Sequence, residues 1–331
     1  MRLVLIRHAE STWNASGRWQ GQSDVPLSPR GQLQVRALAS RLWELEADRL
    51  ICSDLQRAQH TAMAIGDPEP DPRFREIDVG EWAGLKRSEV AERFAEQVRA
   101  LRSGEPVRIG GGESMPEFEA RVDAGIDAIR GGDGKLVLVT HGGVIRALAT
   151  RVLGLRGRPS SLVGVSNTSL TVLRVDGSQM ALERYNDARH LDPGDQGSGM
   201  IRMPEPATRI AIIAAAPEEP DDRELTDAIL AGLGIPMFFA PEETLEEPLA
   251  SSLMAEPIEP TEAMTEQLRV DYEDSSVGLV VRPEAARRMV ERLAGLREGG
   301  LSPMTHGAVA QLRLSEKGAE LHSYGVRPAL R

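Results

Sequence analysis

Residues Arg2–Asn14, RLVLIRHAESTWN, decide the fold. Leu3-Val4-Leu5-Ile6 is a short, continuous aliphatic run of the kind that forms a strand buried on both faces. It passes without a turn into Arg7, His8, Glu10, Ser11 and Asn14. In open α/β sheets, ligands bind beyond the carboxyl ends of the strands, so the polar residues stand at the expected address for chemistry. An arginine beside a histidine there supplies a fixed cation and a nitrogen nucleophile, a combination suited to phosphoryl transfer.

Two further stretches repeat this pattern. Arg49–Cys52 is a strand ending at Ser53-Asp54, after which Leu55-Gln56-Arg57-Ala58 opens a helix. Lys135–Val139, KLVLV, is the second strong buried strand; it ends in Thr140-His141-Gly142-Gly143 and enters a helix through Val144, Ile145 and Leu148. If the strands are parallel neighbours, Arg57 and His141 share a rim with His8. Between them, residues 15–31 form a loop punctuated by glycine and proline and holding Arg18, Gln20, Gly21 and Asp24. Ser28 and Pro29 then read as N-cap and first residue of a helix. The spacing predicts helices over about 88–103 and 116–130, split by Gly110-Gly111-Gly112, and closing strands over 162–175 and 180–184 around Asp176-Gly177. Phe74–Trp82 is a carboxylate-rich loop containing Glu76, Asp78 and Glu81. His60 and His190 read as packing or surface residues, and Trp13, Trp19 and Trp82 as walls.

Arg7-His8-Ala9-Glu10, Asn14, Arg18–Gly21, Ser53–Ala58, Glu76–Trp82 and Thr140–Gly143 together resemble the histidine phosphatase superfamily. The branch is the one containing cofactor-dependent phosphoglycerate mutases and alpha-ribazole-type phosphatases. The resemblance covers residues 2–191, and its departure in the leading motif is Ala9, where the family usually has glycine. It implies an α/β three-layer sandwich with a mostly parallel central sheet. It implies that His8 is the nucleophile, that Arg7, Arg57 and His141 surround the phosphoryl oxygens, and that Asn14, Gln20, Gly21 and Gly142 bind substrate. Glu76 matches the family's proton donor, with Glu81 as the competing carboxylate. The physical logic stands beside the resemblance. Preorganised cationic donors stabilise the charge spread over a transferring phosphoryl group, and two arginines favour the neutral form of a neighbouring imidazole.

The chain of 331 residues is long enough for two domains, and its 41% hydrophobic and 27% charged content describes a globular protein. No apolar run approaches the roughly 20 residues that span a bilayer, and the start has no signal-peptide pattern, so a cytoplasmic location is expected. A single cysteine, Cys52, excludes an intramolecular disulfide and a cysteine-rich metal site. No metal and no cofactor are expected. Of 39 basic residues, 36 are arginine, a skew that lowers the weight of any one arginine. Residues 1–200 are nearly neutral at −1, whereas residues 201–331 carry −10. That asymmetry argues against nucleic acid or an anionic membrane as partner.

The second half reads as a worn copy of the first. Residues 305–330 align without gaps to 166–191, placing Leu312, Arg313, Leu321, Tyr324 and Leu330 on Leu173, Arg174, Leu182, Tyr185 and Leu191. Arg209–Pro217 lies over Arg2–Glu10, so Ala214 and Ala215 stand for Arg7 and His8. Leu279-Val280-Val281 mirrors Val137-Leu138-Val139, which puts Pro283 on His141. Residues 217–267 hold 14 acidic residues and only Arg223 as a base, a charge balance that repels phosphate. The expected organisation is a catalytic domain over 1–191, a linker over 192–206, and a smaller, degenerate, non-catalytic α/β domain over 207–331. The second copy is expected to take a partner's place within one chain, an intramolecular pseudo-dimer.

The expected activity is metal-independent hydrolysis of a phosphomonoester, through a phosphohistidine, on a small phosphorylated metabolite. A phosphoglycerate mutase is the alternative, and a non-catalytic binding or regulatory protein the second. Mutases of this branch carry a longer insertion between the catalytic acid and the second histidine. Here Glu76 and His141 are 65 residues apart, and a shorter cap lets water reach the intermediate.

Overall fold

The computed structural model describes residues 1–131, 133–155, 162–191, 208–215, 225, 228–229, 237–239, 276–315 and 318–327. The expected linker, Leu330 and most of the acidic stretch 217–267 lie outside the described residues. The chain divides into two compact units, one of residues 1–149, 164–179 and 188–200, the other of 150–163, 180–187 and 201–331.

In the first unit, β1 (Arg2–Arg7), β2 (Arg49–Cys52), β3 (Glu69–Pro70), β4 (Lys135–Thr140) and β5 (Leu170–Asp176) pair in the order β3-β2-β4-β1-β5. The first four are mutually parallel and β5 runs antiparallel to β1, so the sheet is mixed. Leu3 to Ile6 and Leu136 to Val139 are all buried, as expected of central strands covered on both faces. Registers Arg7↔Thr140 and Cys52↔Val139 bring the carboxyl ends of β1, β4 and β2 level. The helix at Pro29–Leu38 is capped by the Ser28 hydroxyl, which accepts from the Gly31 N–H. Met115–Ile129 starts at a capping box of Ser114 and Glu117 and buries Phe118, Val122, Ile126 and Ile129 along one stripe.

Two local expectations are corrected. The helix read over 88–103 is two, Arg87–Arg93 and Ala95–Arg102, broken at Phe94 with φ −122°. The Phe94 ring lies 6.0 Å from that of Trp82, an aromatic contact that helical periodicity does not register. The strand read from residue 162 begins only at Leu170. Before it the chain turns, with Thr168 at φ 55°; the Thr168 N–H donates to the Arg7 carbonyl and the Asn167 side chain to that of His8. Sequence apolarity signalled burial there, but the Thr168 N–H is spent on the end of β1 instead of on a ladder.

In the second unit, β6 (Gln179–Asp187), β7 (Thr208–Ala214), β8 (Met237–Phe239), β9 (Ser276–Val281), β10 (Val309–Ser315) and β11 (Gly318–Val326) pair in the order β6-β11-β10-β7-β9-β8. β7 is parallel to β9 and antiparallel to β10. With Arg209 set on Arg2, the antiparallel pairs Arg2↔Arg174 and Arg209↔Arg313 correspond. So do the parallel pairs Arg7↔Thr140 and Ala214↔Val281. His8 N–H donates to the Thr140 carbonyl as Ala215 N–H does to that of Val281. After each parallel strand comes a helix of eleven residues, Gly142–Val152 and Pro283–Leu293. This register places Arg282, not Pro283, opposite His141: the sequence alignment slips by one residue because an apolar run carries no mark of its own phase.

Candidate active site

Three strand ends deliver the side chains. His8 follows β1, Arg57 lies in the helix Gln56–Ala62 after β2, and His141 follows β4. All three are buried, at 3%, 1% and 0% exposure, and the rings of His8 and His141 are 5.1 Å apart between centroids. Nδ1 of His8 is 2.7 Å from the Ala9 carbonyl oxygen. A carbonyl only accepts, so Nδ1 carries the proton and Nε2 keeps its lone pair uncommitted. The Ala9 N–H is held by Thr61 Oγ1.

Each cation is held by backbone carbonyls and has its Nε left over. Arg57 donates to the Ser23 and Gly21 carbonyls at 2.7 and 2.8 Å, and Arg7 donates to that of Val165 at 2.6 Å. Gly21 can turn its carbonyl inward because it sits at φ 50°, with Val79 where a side chain would stand. His141 is held through Nε2 by Ser53 Oγ at 2.8 Å. What remains is Nε of Arg7, Nε of Arg57 and Nδ1 of His141, all buried and without a hydrogen-bond partner. An unmet buried donor costs about 1–3 kcal/mol. Arg7 and Arg57 both act on the charge of His8, and the His141 ring stands 5.1 Å from it. With Ser53 donating to Nε2 of His141, these groups form a cradle suited to an oxyanion. The helix that starts at Gly142 adds its N-terminus, where a glycine Cβ position lies 3.5 Å from Arg7 Nε.

Glu76 closes the rim. Its carboxylate accepts from the N–H groups of Ile77 and Gly143 at 2.9 and 3.0 Å. A side chain on Gly143 would come within 2.0 Å of Glu76 Oε1, so only glycine admits the carboxylate there. Arg121 pins the loop by donating to the carbonyls of Arg73, Arg75 and Glu76 while paired with Glu113, which in turn accepts from the Asp78 N–H. Glu76 is the carboxylate that most offsets the burial of Arg7 and Arg57. Glu81 is exposed, in the short turn Gly80–Trp82.

Asn14 and Gln20 each have a side-chain oxygen engaged by Ser11, which leaves their amide nitrogens to donate. The loop holding Gln20 is tied to residues 84–86 by Trp19–Leu85 and Gly84–Trp19 backbone bonds and by Arg18 donating to the Gly84 carbonyl. Trp19 packs edge-on to Trp82 at 5.4 Å. His190 bonds to Thr168 Oγ1, and His60 is exposed. Sequence reasoning missed Ser53, Thr61, Val165, Asn167, Gly143 and Arg121. Ser53 and Gly143 lie inside the Ser53–Ala58 and Thr140–Gly143 motifs, but nothing local marks them as supports. Among the described residues, no group of three or more His, Cys, Asp or Glu could hold a metal ion, and no helix is long and apolar enough to cross a membrane.

Burial, then the charges of Arg57 and Arg7, hold the His8 imidazole well below its ordinary 6.5. Burial and the same cationic surroundings lower His141 likewise. Burial also pushes Arg57 down to about 10. A lowered histidine pKa means that the proton-free ring persists as pH falls through 6.5. The acid limb of kcat/KM, corrected for substrate ionisation, is therefore expected below that value. A limb at or above it would show His8 to be in a more ordinary environment.

The three convergent strand ends, with an imidazole among buried cations, define an α/β protein built to hold a tetrahedral oxyanion. A sequence model described as "Histidine phosphatase superfamily (branch 1)" matches residues 3–188, and the chain belongs to that superfamily. It is 35% identical over 207 residues to a probable phosphoglycerate mutase of Enterobacter sp. (strain 638), covering 58% of this chain and 95% of that protein. It is 32% identical over 199 residues to phosphoserine phosphatase 1 of Hydrogenobacter thermophilus, covering 58% and 94%. Among solved structures, mycobacterial glucosyl-3-phosphoglycerate phosphatase with VO3 superposes with TM-score 0.51 at 32% identity, over 56% of this chain and 99% of that one.

Proposed function

We propose that this protein is a metal-independent phosphomonoester hydrolase that acts through a phosphohistidine on a small phosphorylated metabolite. The observation that carries the reading is the set of three unmet buried donors around an imidazole whose Nε2 is free. His8 Nε2 attacks phosphorus and the P–O bond to the leaving alcohol breaks. Protonated Glu76 gives its proton to the departing oxygen. Water then attacks the phosphohistidine, Glu76 takes a proton from it, and orthophosphate leaves His8 neutral again. Through both steps Arg7, Arg57 and His141 donate to the equatorial oxygens. Similarity to phosphatases in both comparisons supports hydrolysis, and similarity to a mutase keeps transfer between two hydroxyls of one substrate as the second reading.

With the site supplying its own cations, p-nitrophenyl phosphate turnover is expected to be unchanged by excess EDTA. Loss of turnover that added divalent metal restores would end the metal-independent reading. Mutase activity exceeding hydrolysis on 3-phosphoglycerate would favour the second.

The proposal extends to residues 207–331 as a degenerate copy without catalysis. The matched registers of β1, β4 and β5 with β7, β9 and β10 support it. So do Ala214 and Ala215, buried where Arg7 and His8 stand in the first sheet.

A further inference from the structure

A second set of correspondences lies wholly within the second compact unit, which includes 150–163 and 180–187 together with 201–331. Leu162 bridges Leu321, and Leu182 bridges Leu301, both in parallel. Adding 139 to the first-half member of either pair gives the second-half member of the other, 162 becoming 301 and 182 becoming 321. The hydrogen bonds obey the same exchange. Val163 N–H donates to the Leu321 carbonyl at 3.1 Å, and Ser302 N–H to that of Leu182 at 2.8 Å. The Tyr185 hydroxyl donates to the Val163 carbonyl and the Tyr324 hydroxyl to the Ser302 carbonyl, each at 2.5 Å. At the centre, Tyr185 of β6 pairs with Tyr324 of β11 in an antiparallel ladder, its own counterpart under that numbering. Both tyrosines are fully buried.

Residue i meeting the equivalent of j while j meets the equivalent of i is the signature of an isologous contact, the kind two identical subunits make across a two-fold axis. A fortuitous packing of unrelated segments has no reason to repeat its contacts under one constant offset, in bridges, backbone bonds and tyrosine hydroxyls alike. We propose that residues 276–327 are a built-in partner subunit. They occupy, within the chain, the self-complementary surface formed by residues 162–163 and 180–187, which a second copy of an unduplicated chain would take. The inference rests on the duplication and not on the catalytic reading.

Cysteine pairs in the full-length chain test this. Bridged residues lie within the Cα separation that a disulfide spans, about 4.4–6.8 Å, and the one native thiol, Cys52, is buried. On mild oxidation, Leu182→Cys/Leu301→Cys is expected to lose two titratable thiols and to run on a non-reducing gel as a single chain. Leu162→Cys/Leu321→Cys, related by the two-fold, is expected to do the same. The second pair keeps the test open if the first variant does not fold, as judged by circular dichroism. Disulfide-linked dimers would mean that the surface joins two chains, and folded variants whose thiols stay free would mean that these strands are not apposed. Either result overturns the proposal, whatever the enzyme activity.

Discussion

His8→Ala is expected to lower kcat/KM for any phosphomonoester by about 10⁴-fold or more, with no acid-labile phosphoenzyme trapped on quenching. The loss should be this large because no neighbour can replace the ring. His141 is the nearest imidazole, but its Nε2 is engaged by Ser53. Arg7 and Arg57 remain cationic and are tied to carbonyls. Phosphate affinity should survive, since the unmet donors of Arg7, Arg57 and His141 are untouched. Activity within about tenfold of the parent would require another nucleophile and would remove the phosphohistidine from the mechanism.

Glu76→Gln is expected to show the second largest effect, and its size should depend on the leaving group. An alkyl phosphate leaves as a strongly basic alkoxide, so loss of the proton donor should cost about 10²–10⁴-fold in kcat. p-Nitrophenol leaves readily without protonation, and there the same substitution should cost about tenfold or less. Glutamine keeps the shape and an oxygen to accept from Gly143, so the clamp on the loop persists. Glu81→Gln should leave both substrates unaffected, because that side chain is exposed while Glu76 faces Arg7 and Arg57. Rates read by rapid quench on a matched alkyl and aryl pair decide it. A leaving-group-dependent loss in Glu81→Gln instead would move the proton donor to that residue.

Under the proposed duplication, the second sheet follows the same physics in reverse. Ala214 and Ala215 offer neither charge nor lone pair and are fully buried, Ala215 in an aliphatic cluster with Ile213, Val280 and Val309. With alanine and not arginine at that strand end, there is no buried cation whose desolvation a bound anion would offset.

Which stretches form buried strands, and which residue types stand at their ends, follow from local pattern alone. A run such as Leu3–Ile6 or Leu136–Val139 can lower its free energy only between two covering layers, and the polar residue after it is forced to the rim. Ser28-Pro29 likewise marked a helix start through local chemistry alone. What those rim residues can do depends on contacts made across the fold. The Gly21 and Ser23 carbonyls aim Arg57, Val165 aims Arg7, Ser53 orients His141, and Gly143 admits Glu76. The Arg57, Arg7, Ser53 and Glu76 contacts join segments 34 to 158 residues apart, and periodicity reports only which face of an element is buried. For the same reason the break at Phe94 and the one-residue phase of β9 were invisible along the chain: an aromatic contact and a strand register are properties of two segments at once.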